Sequence, residues 1–272
     1  RNVKSIGPYL TQGENTIVFK RTKPISNLPI MSLGDMAKDN SHLVLSEDEK
    51  NSLLTSNPES KKYLKKFIGA IDFLRGVKRA CLWVKESEYE HAKKISFIKK
   101  RFGLVSRSRS SSKKSATREF SKKPFRFIEI RNQDKPAFFI PTTSSERRKY
   151  IPIGFYDKDC IITAPNQAIY DPPMYIFSII SSRMHMVWVR TVAGRLKNDY
   201  RYSSELCYNT FPFPKINNLQ KKKLEEKALK ILVEEREKYP ERTISELYDP
   251  DKMPNNILKA HEEIDIEVEK CY

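Results

Sequence analysis

Thirteen lysines and arginines and a single acid, Glu119, occupy residues 93–126. Charge of that density suits one chemistry above others. Ammonium and guanidinium heads bond phosphate oxygens, and neighbouring hydroxyls add further donors. The stretch divides in two. From Glu88 to Val105, Tyr89, Ala92, Ile95, Ile98 and Phe102 recur at steps of three and four, the stripe of an amphipathic helix. Lys93, Lys94, Lys99, Lys100 and Arg101 decorate the rest of it. From Ser106 to Glu119 almost nothing is apolar, and a flexible loop is expected. Arg107, Arg109, Ser110, Lys113, Lys114, Thr117 and Arg118 are the candidate phosphate grip there, with a solvated, partnerless loop as the alternative.

Asp171-Pro172-Pro173-Met174-Tyr175 falls one residue short of a catalytic motif. Amino methyltransferases hold their target amino group with an [Asp/Asn]-Pro-Pro-aromatic tetrad whose ring stacks on the flipped base. Here Met174 stands where the aromatic belongs, and no Gly-rich loop after a strand precedes it. The expectation is instead that Asp171 caps a helix with Pro172 in its first turn, where a missing N–H costs nothing. Ser144 and Ser145 lack the Gly-flanked elbow of a serine hydrolase. Cys81, Cys160, Cys207 and Cys271 are dispersed, as are His42, His91, His185 and His261, so no metal-ligand or redox spacing is written in the chain. Unpaired thiols suit a reducing, cytoplasmic setting. The chain by itself is expected to be non-catalytic and to hold neither metal nor cofactor.

The elements that must position these side chains follow from periodicity. Ser46 to Glu49 is a capping box opening a helix, and Pro58 opens another that includes Tyr63, Leu64, Phe67 and Ile68. Residues 81–84, 125–131, 137–142, 150–156, 160–164 and 205–211 are short, β-branched or aromatic, and read as strands. From Asp171 to Gly194 the period is helical again. Three amphipathic helical stretches follow Ile216. The fold class is therefore α+β: a body with a mixed or antiparallel sheet over residues 1–214, then a small α-helical C-terminal segment over 215–272.

The whole chain has 272 residues, a formal charge of +17, 39% apolar residues and only 8 glycines. That apolar share supports a core, no run is long enough for a membrane span, and scarce glycine argues against a Gly-rich nucleotide cradle. The charge sits unevenly: net +15 over residues 1–130, +5 over 131–215 and −3 over 216–272. A polyanion partner, most simply nucleic acid, is expected on the first three-quarters, and the acidic tail is expected to pack rather than to touch it. The chain begins at Arg1 and reads as a piece of something longer.

Several strings are too particular for composition to explain. They are SNLPIMSLGDMAKDN (26–40), FIGAIDFLRGVKRACLW (67–83), SSERRKYIPIGF (144–155), MHMVWVRTVAGRLKNDYRYS (184–203), YNTFPFP (208–214) and MPNNILKAHEEIDIEVEKCY (253–272). Together, and in this order, they resemble the C-terminal part of large single-chain restriction–modification enzymes of the MmeI-like kind, including methylase-only relatives. The resemblance implies a module that reads double-stranded DNA for an N6-adenine methyltransferase core upstream. S-adenosylmethionine, with Mg2+ as a second candidate, is then the cofactor of that parent enzyme and not of this fragment. DNA, the missing core of the same chain and no membrane are the implied partners.

Reading sequence takes Arg or Lys for guanine, Asn or Gln for adenine, and Asp or Glu for cytosine. Residues 194–203 supply Arg195, Lys197, Asn198, Asp199 and Arg201, with Tyr200 and Tyr202 to brace them. A charged surface turn held by Arg–Asp pairs is the alternative, and the family resemblance favours DNA contact. Arg183 and Arg190 on the preceding helix are weaker candidates, and the resemblance adds Asn166 and Gln167 as specificity-setting positions. Arg147 and Arg148 beside Glu146 clamp a phosphate or form a salt-bridge corner; the residues leave both open. Two other functions compete: a single-stranded RNA-binding module stacking bases on the aromatics of 125–139, and a self-contained methyltransferase using Asp171–Tyr175.

Overall fold

The computed structural model describes residues 5–9 and 16–272. The described residues fall into two compact units whose chains interleave. One is drawn from residues 33–135 and 156–166, the other from the described residues among 1–32 and from 136–155 and 167–272.

In the 33–135/156–166 unit, a four-stranded sheet runs in the order β2 (Val44–Ser46), β4 (Arg79–Leu82), β3 (Leu64–Ile68), β8 (Cys160–Ile162). Its first three strands are antiparallel, and β3 and β8 run parallel, Lys66 opposite Cys160. Helices α1 (Glu47–Ser56), α2 (Ala70–Arg75), α3 (Tyr89–Ala92), α4 (Ser96–Ser110) and α5 (Ser115–Glu119) accompany the sheet. The Ser46–Glu49 capping box is present at α1. Leu43, Leu45, Tyr63, Leu82, Ile98, Phe102, Val105 and Phe127 form the core. Full burial of each such side chain contributes about 1.5–3 kcal/mol.

Two expectations fail in this unit. Pro58–Tyr63 is a short 3-10 turn, and Leu64 to Ile68 is strand β3 rather than helix, with Phe67 and Ile68 paired to Ile161 and Ile162. Cross-strand pairing overrides a helical spacing that six residues cannot establish. Residues 125–131 form no strand; a single bridge joins Glu129 to Met36.

The other unit is built on the sheet β1 (Met31–Leu33), β9 (Gln167–Tyr170), β5 (Ala137–Ile140), β7 (Gly154–Tyr156). A second, three-stranded sheet orders β10 (Gly194–Leu196), β11 (Asp199–Arg201), β6 (Thr143–Ser144). Helices α6 (Tyr175–Ile180) and α7 (Arg183–Val192) are separated at Ser182, which leaves helical geometry to cap α7 by accepting from the His185 N–H. Residues 204–208 coil into a wide helical turn rather than the expected strand, because Ser203 and Ser204 carbonyls accept from the Cys207 and Asn209 N–H groups at 2.8 Å.

The C-terminal helices α8 (Asn218–Leu229), α9 (Ile244–Leu247) and α10 (Asn255–Glu269) belong to the same unit. Leu224, Ala228, Ile231, Ala260, Ile264 and Val268 share one core with Phe138, Ile176, Phe177 and Ile180. His261 is fully buried, stacked on Tyr150 at 4.3 Å between centroids and 2.8 Å from the Tyr248 hydroxyl. Among the described residues, no helix is long and apolar enough to cross a membrane.

Candidate nucleic-acid interface

The basic stretch of 93–126 is folded, and Arg109 is the reason. Phe102, Val105 and Arg109 lie three and four residues apart on the buried face of α4, which runs on to Ser110. Arg109 is 0% exposed, and its guanidinium donates five hydrogen bonds to backbone carbonyls: Ala37 (2.8 Å), Lys38 (3.3 Å), Phe120 (3.1 Å), Lys123 (2.9 Å) and Arg126 (2.7 Å). A guanidinium has five N–H groups, so its donor capacity is filled. Burial pulls its pKa down to about 10, against which Asp39 pulls upward.

The expected flexible loop is thus a helix, a short turn and a second helix. Arg109 is withdrawn from the phosphate grip, and so is Thr117, which is also buried. Arg118 is exposed but donates to the Ser112 and Lys113 carbonyls, closing the α4–α5 connection. Lys99, Lys100, Arg107, Ser110, Lys113 and Lys114 remain exposed. This unit carries 26 basic and 15 acidic residues, a net charge of +11.

The sequence around residues 194–203 folds as a β-ribbon rather than a plain turn. Gly194 pairs with Arg201, Arg195 with Tyr200 and Leu196 with Asp199, which leaves Lys197 and Asn198 as a two-residue tip. Lys197 takes left-handed backbone geometry, φ 55°. Strand β11 then pairs with β6, Tyr200 opposite Ser144, so β10 is the free edge. Side chains alternate across a strand: Tyr200 and Tyr202 are buried, and Asp199 and Arg201 lie on the other face.

No Arg–Asp ion pair forms within the ribbon among the described residues, although the Asp199 carboxylate acts on Arg148 at longer range. Lys197, Asn198, Asp199 and Arg201 form no side-chain hydrogen bond or ion pair with any described residue. Leu196, on the same face as Asp199, is 55% exposed, and the sequence reading passed it over. Its clue was the period-two alternation of 194–202 about Lys197-Asn198. An antiparallel ribbon of this kind is narrow enough to enter a DNA major groove.

The remaining candidates separate by burial. Arg190 is exposed on α7. Arg147 pairs with Asp251, and Arg148, 9% exposed, donates to the Ser245 hydroxyl at 3.3 Å. The Ser144–Tyr150 corner is therefore tied to the C-terminal segment, and Arg148 is not available to clamp a phosphate. Asn166 and Gln167 are 3% and 4% exposed, and Asn166 donates to the Thr163 carbonyl at 2.9 Å.

Asp171 does not cap a helix. It takes φ 52°, the following helix begins at Tyr175, and Met174 stands at its cap without a side-chain bond. Pro172 and Pro173 carry no N–H for the Asp171 side chain to bond, and the first turn closes where the Pro173 carbonyl accepts from the Ile176 N–H at 3.0 Å. The turn from β3 into α2 has one glycine, Gly69, and its N–H is taken by Asp72 at 2.7 Å, itself bonded by Arg79. No cluster of metal-ligating side chains occurs among the described residues. Cys81, Cys160 and Cys207 are buried, and burial raises their thiol pKa values.

Comparison with known proteins is consistent over the chain. It is 41% identical over 270 residues to DNA methyltransferase A of Bacillus subtilis (strain 168), covering 99% of this chain and 30% of that protein. It superimposes with a TM-score of 0.93 and 38% identity on a solved structure of the Type IIL restriction–modification enzyme MmeI in complex with DNA. That match covers 99% of this chain and 36% of the other. The chain thus spans about a third of the length of these relatives. Residues 12–215 match the MmeI target recognition domain and residues 216–272 the MmeI C-terminal domain, and the chain belongs to that family.

Proposed function

We propose that this chain binds double-stranded DNA and selects the sequence on which an N6-adenine methyltransferase core of the same polypeptide acts. The observation that carries the reading is the β10–β11 ribbon. Its tip and outer face present the side chains of Lys197, Asn198, Asp199 and Arg201 without a side-chain hydrogen bond or ion pair to any described residue, although the Asp199 charge acts on the buried Arg148. Polar side chains left unpaired on a narrow ribbon suit hydrogen bonding to base edges. The likeness to MmeI in complex with DNA supports the same reading. Lys99, Lys100, Arg107, Ser110, Lys113 and Lys114 supply a sequence-independent hold on phosphates.

In this reading S-adenosylmethionine is held by the core rather than by residues 1–272, Mg2+ is needed only for a parent that also cleaves, and the protein works in the cytoplasm. A labelled duplex titrated against this chain at rising salt tests it. Affinity should fall linearly on a log–log plot, by about 0.9 per phosphate contact, and poly-U should compete poorly. Equal competition by poly-U, or no duplex binding in dilute buffer, would refute it.

A further inference from the structure

The ribbon holds two kinds of side chain, and they lie on opposite faces. Arg195 is directly opposite Tyr200, and its guanidinium sits 4.0 Å from the centroid of that ring. Tyr200 is 5% exposed and part of the core of its unit, so its ring is a fixed platform. A cation over an aromatic face is attracted by the ring quadrupole, and arginine adds a flat stacking surface. The same guanidinium donates through Nη1 to the Asn198 carbonyl at 3.0 Å, across the tip. Between them Lys197 holds the left-handed conformation that a lysine seldom adopts unaided. Arg195 therefore joins the fixed platform to the tip. Leu196, Asp199 and Arg201 alternate onto the other face.

We infer that Arg195 is a positioning residue and reads no base itself. It sets the angle and register at which Lys197, Asn198, Asp199 and Arg201 meet base edges, by clamping the tip to Tyr200. This rests on the reading of the ribbon as the sequence-selecting element. Arg195 was one of five similar polar candidates in the sequence; the cross-strand register and the ring contact separate it from the other four.

The test is selection from a randomised duplex pool by the 272-residue chain, comparing base preference at each position, with thermal unfolding midpoints alongside. Three variants are needed: R195M, R195K and the double change K197A/N198A. R195M should flatten preference about 5-fold or more at the positions that K197A/N198A also flattens, within the span that a lost base contact produces. It should change affinity for arbitrary duplex no more than the loss of one positive charge does. R195K, which keeps a cation over the ring but loses the fork, should fall between. Adding R195M to K197A/N198A should cause no further loss of preference.

Three results would overturn the proposal. R195M could alter one base position that K197A/N198A leaves intact, which would make Arg195 a reader. It could lower the unfolding midpoint and all affinities alike with the preference profile unchanged, which would make its role structural alone. Finally, an unaltered profile in K197A/N198A would remove the ribbon reading itself, and with it the role assigned to Arg195.

Discussion

Arg109 donates a hydrogen bond to the Arg126 carbonyl at 2.7 Å, so a fully buried arginine is held by the backbone of an exposed one. Four other carbonyls complete its shell. The charge is uncompensated by any carboxylate within bonding distance and survives by saturating every donor. In doing so it ties α4 to the segments before and after it.

Arg109→Met should be among the most destabilising single changes in this unit. It leaves five carbonyls without their donor, and an unsatisfied buried polar group costs about 1–3 kcal/mol. Relaxation and water entry will recover part of that, and a loss of about 3 kcal/mol or more is expected in urea unfolding. Arg109→Lys should recover little, since an ammonium has three donors for five acceptors. Wild-type stability in the Met variant would show the shell to be incidental.

Lys113 and Lys114 lie exposed between α4 and α5. Replacing both by Ala should weaken all duplexes alike and reduce the salt slope by up to about 0.9 for each phosphate contact removed. Selective loss on one sequence would mean that they contact bases.

Asn198→Ala and Arg201→Ala should change preference rather than general affinity. If either bonds a base edge, discrimination at that position should fall by about 1–3 kcal/mol. Equal loss on every duplex, read by competition titration, would contradict direct readout.

His185 and His261 should make the fold acid-sensitive. Burial without a charge partner pulls His185 down to about 3, and burial together with the Arg236 charge pulls His261 well below the ordinary value. Unfolded, each takes up a proton near pH 6.5; folded, neither does until much lower pH. The unfolded state therefore binds more protons between these limits, so stability is full above about pH 6.5 and falls as pH drops through it. Each histidine contributes a slope of about 1.4 kcal/mol per pH unit in that window. Unfolding free energies from pH 7 to 4.5 should show it, and His261→Phe should remove one histidine's share. The Tyr248 hydroxyl, left without its ring partner in that variant, will lower stability at every pH without changing the slope.

Truncation after Pro214 should unfold the unit that contains α6. Leu224, Ala228, Ile231, Ile264 and Val268 cover Ile176, Phe177 and Ile180, and Lys227 and Lys230 both pair with Glu263 to hold α8 to α10. The truncated chain should bind a hydrophobic dye and lose near-UV dichroism. Retained cooperative unfolding would mean that the helical segment is dispensable.

Much of this protein is legible without coordinates. The α+β class, strands 137–140 and 160–162, the capping boxes at Ser46 and Thr243 and the last helix all follow from local rules, because caps and periodicity act within a few residues. So does the charge that suggests a polyanion, since charge is additive along a chain. The family strings pointed to the module, and the matches over residues 12–215 and 216–272 agree with them.

What the residues alone could not supply was the standing of each polar side chain. Arg107 and Arg109 are both arginines in a Ser-Arg run, yet one is exposed and the other sits at 0% exposure with five acceptors. Arg195 and Arg201 are both exposed, yet they lie on opposite faces of the ribbon, Arg195 over the Tyr200 ring. Asn166, Gln167 and Arg148 read as surface residues and are buried. Composition determines how much charge and how many donors a chain carries. Whether a donor faces solvent or a row of carbonyls depends on contacts between residues far apart in the chain, such as Arg109 and Ala37, 72 positions apart, and only the folded chain brings those together.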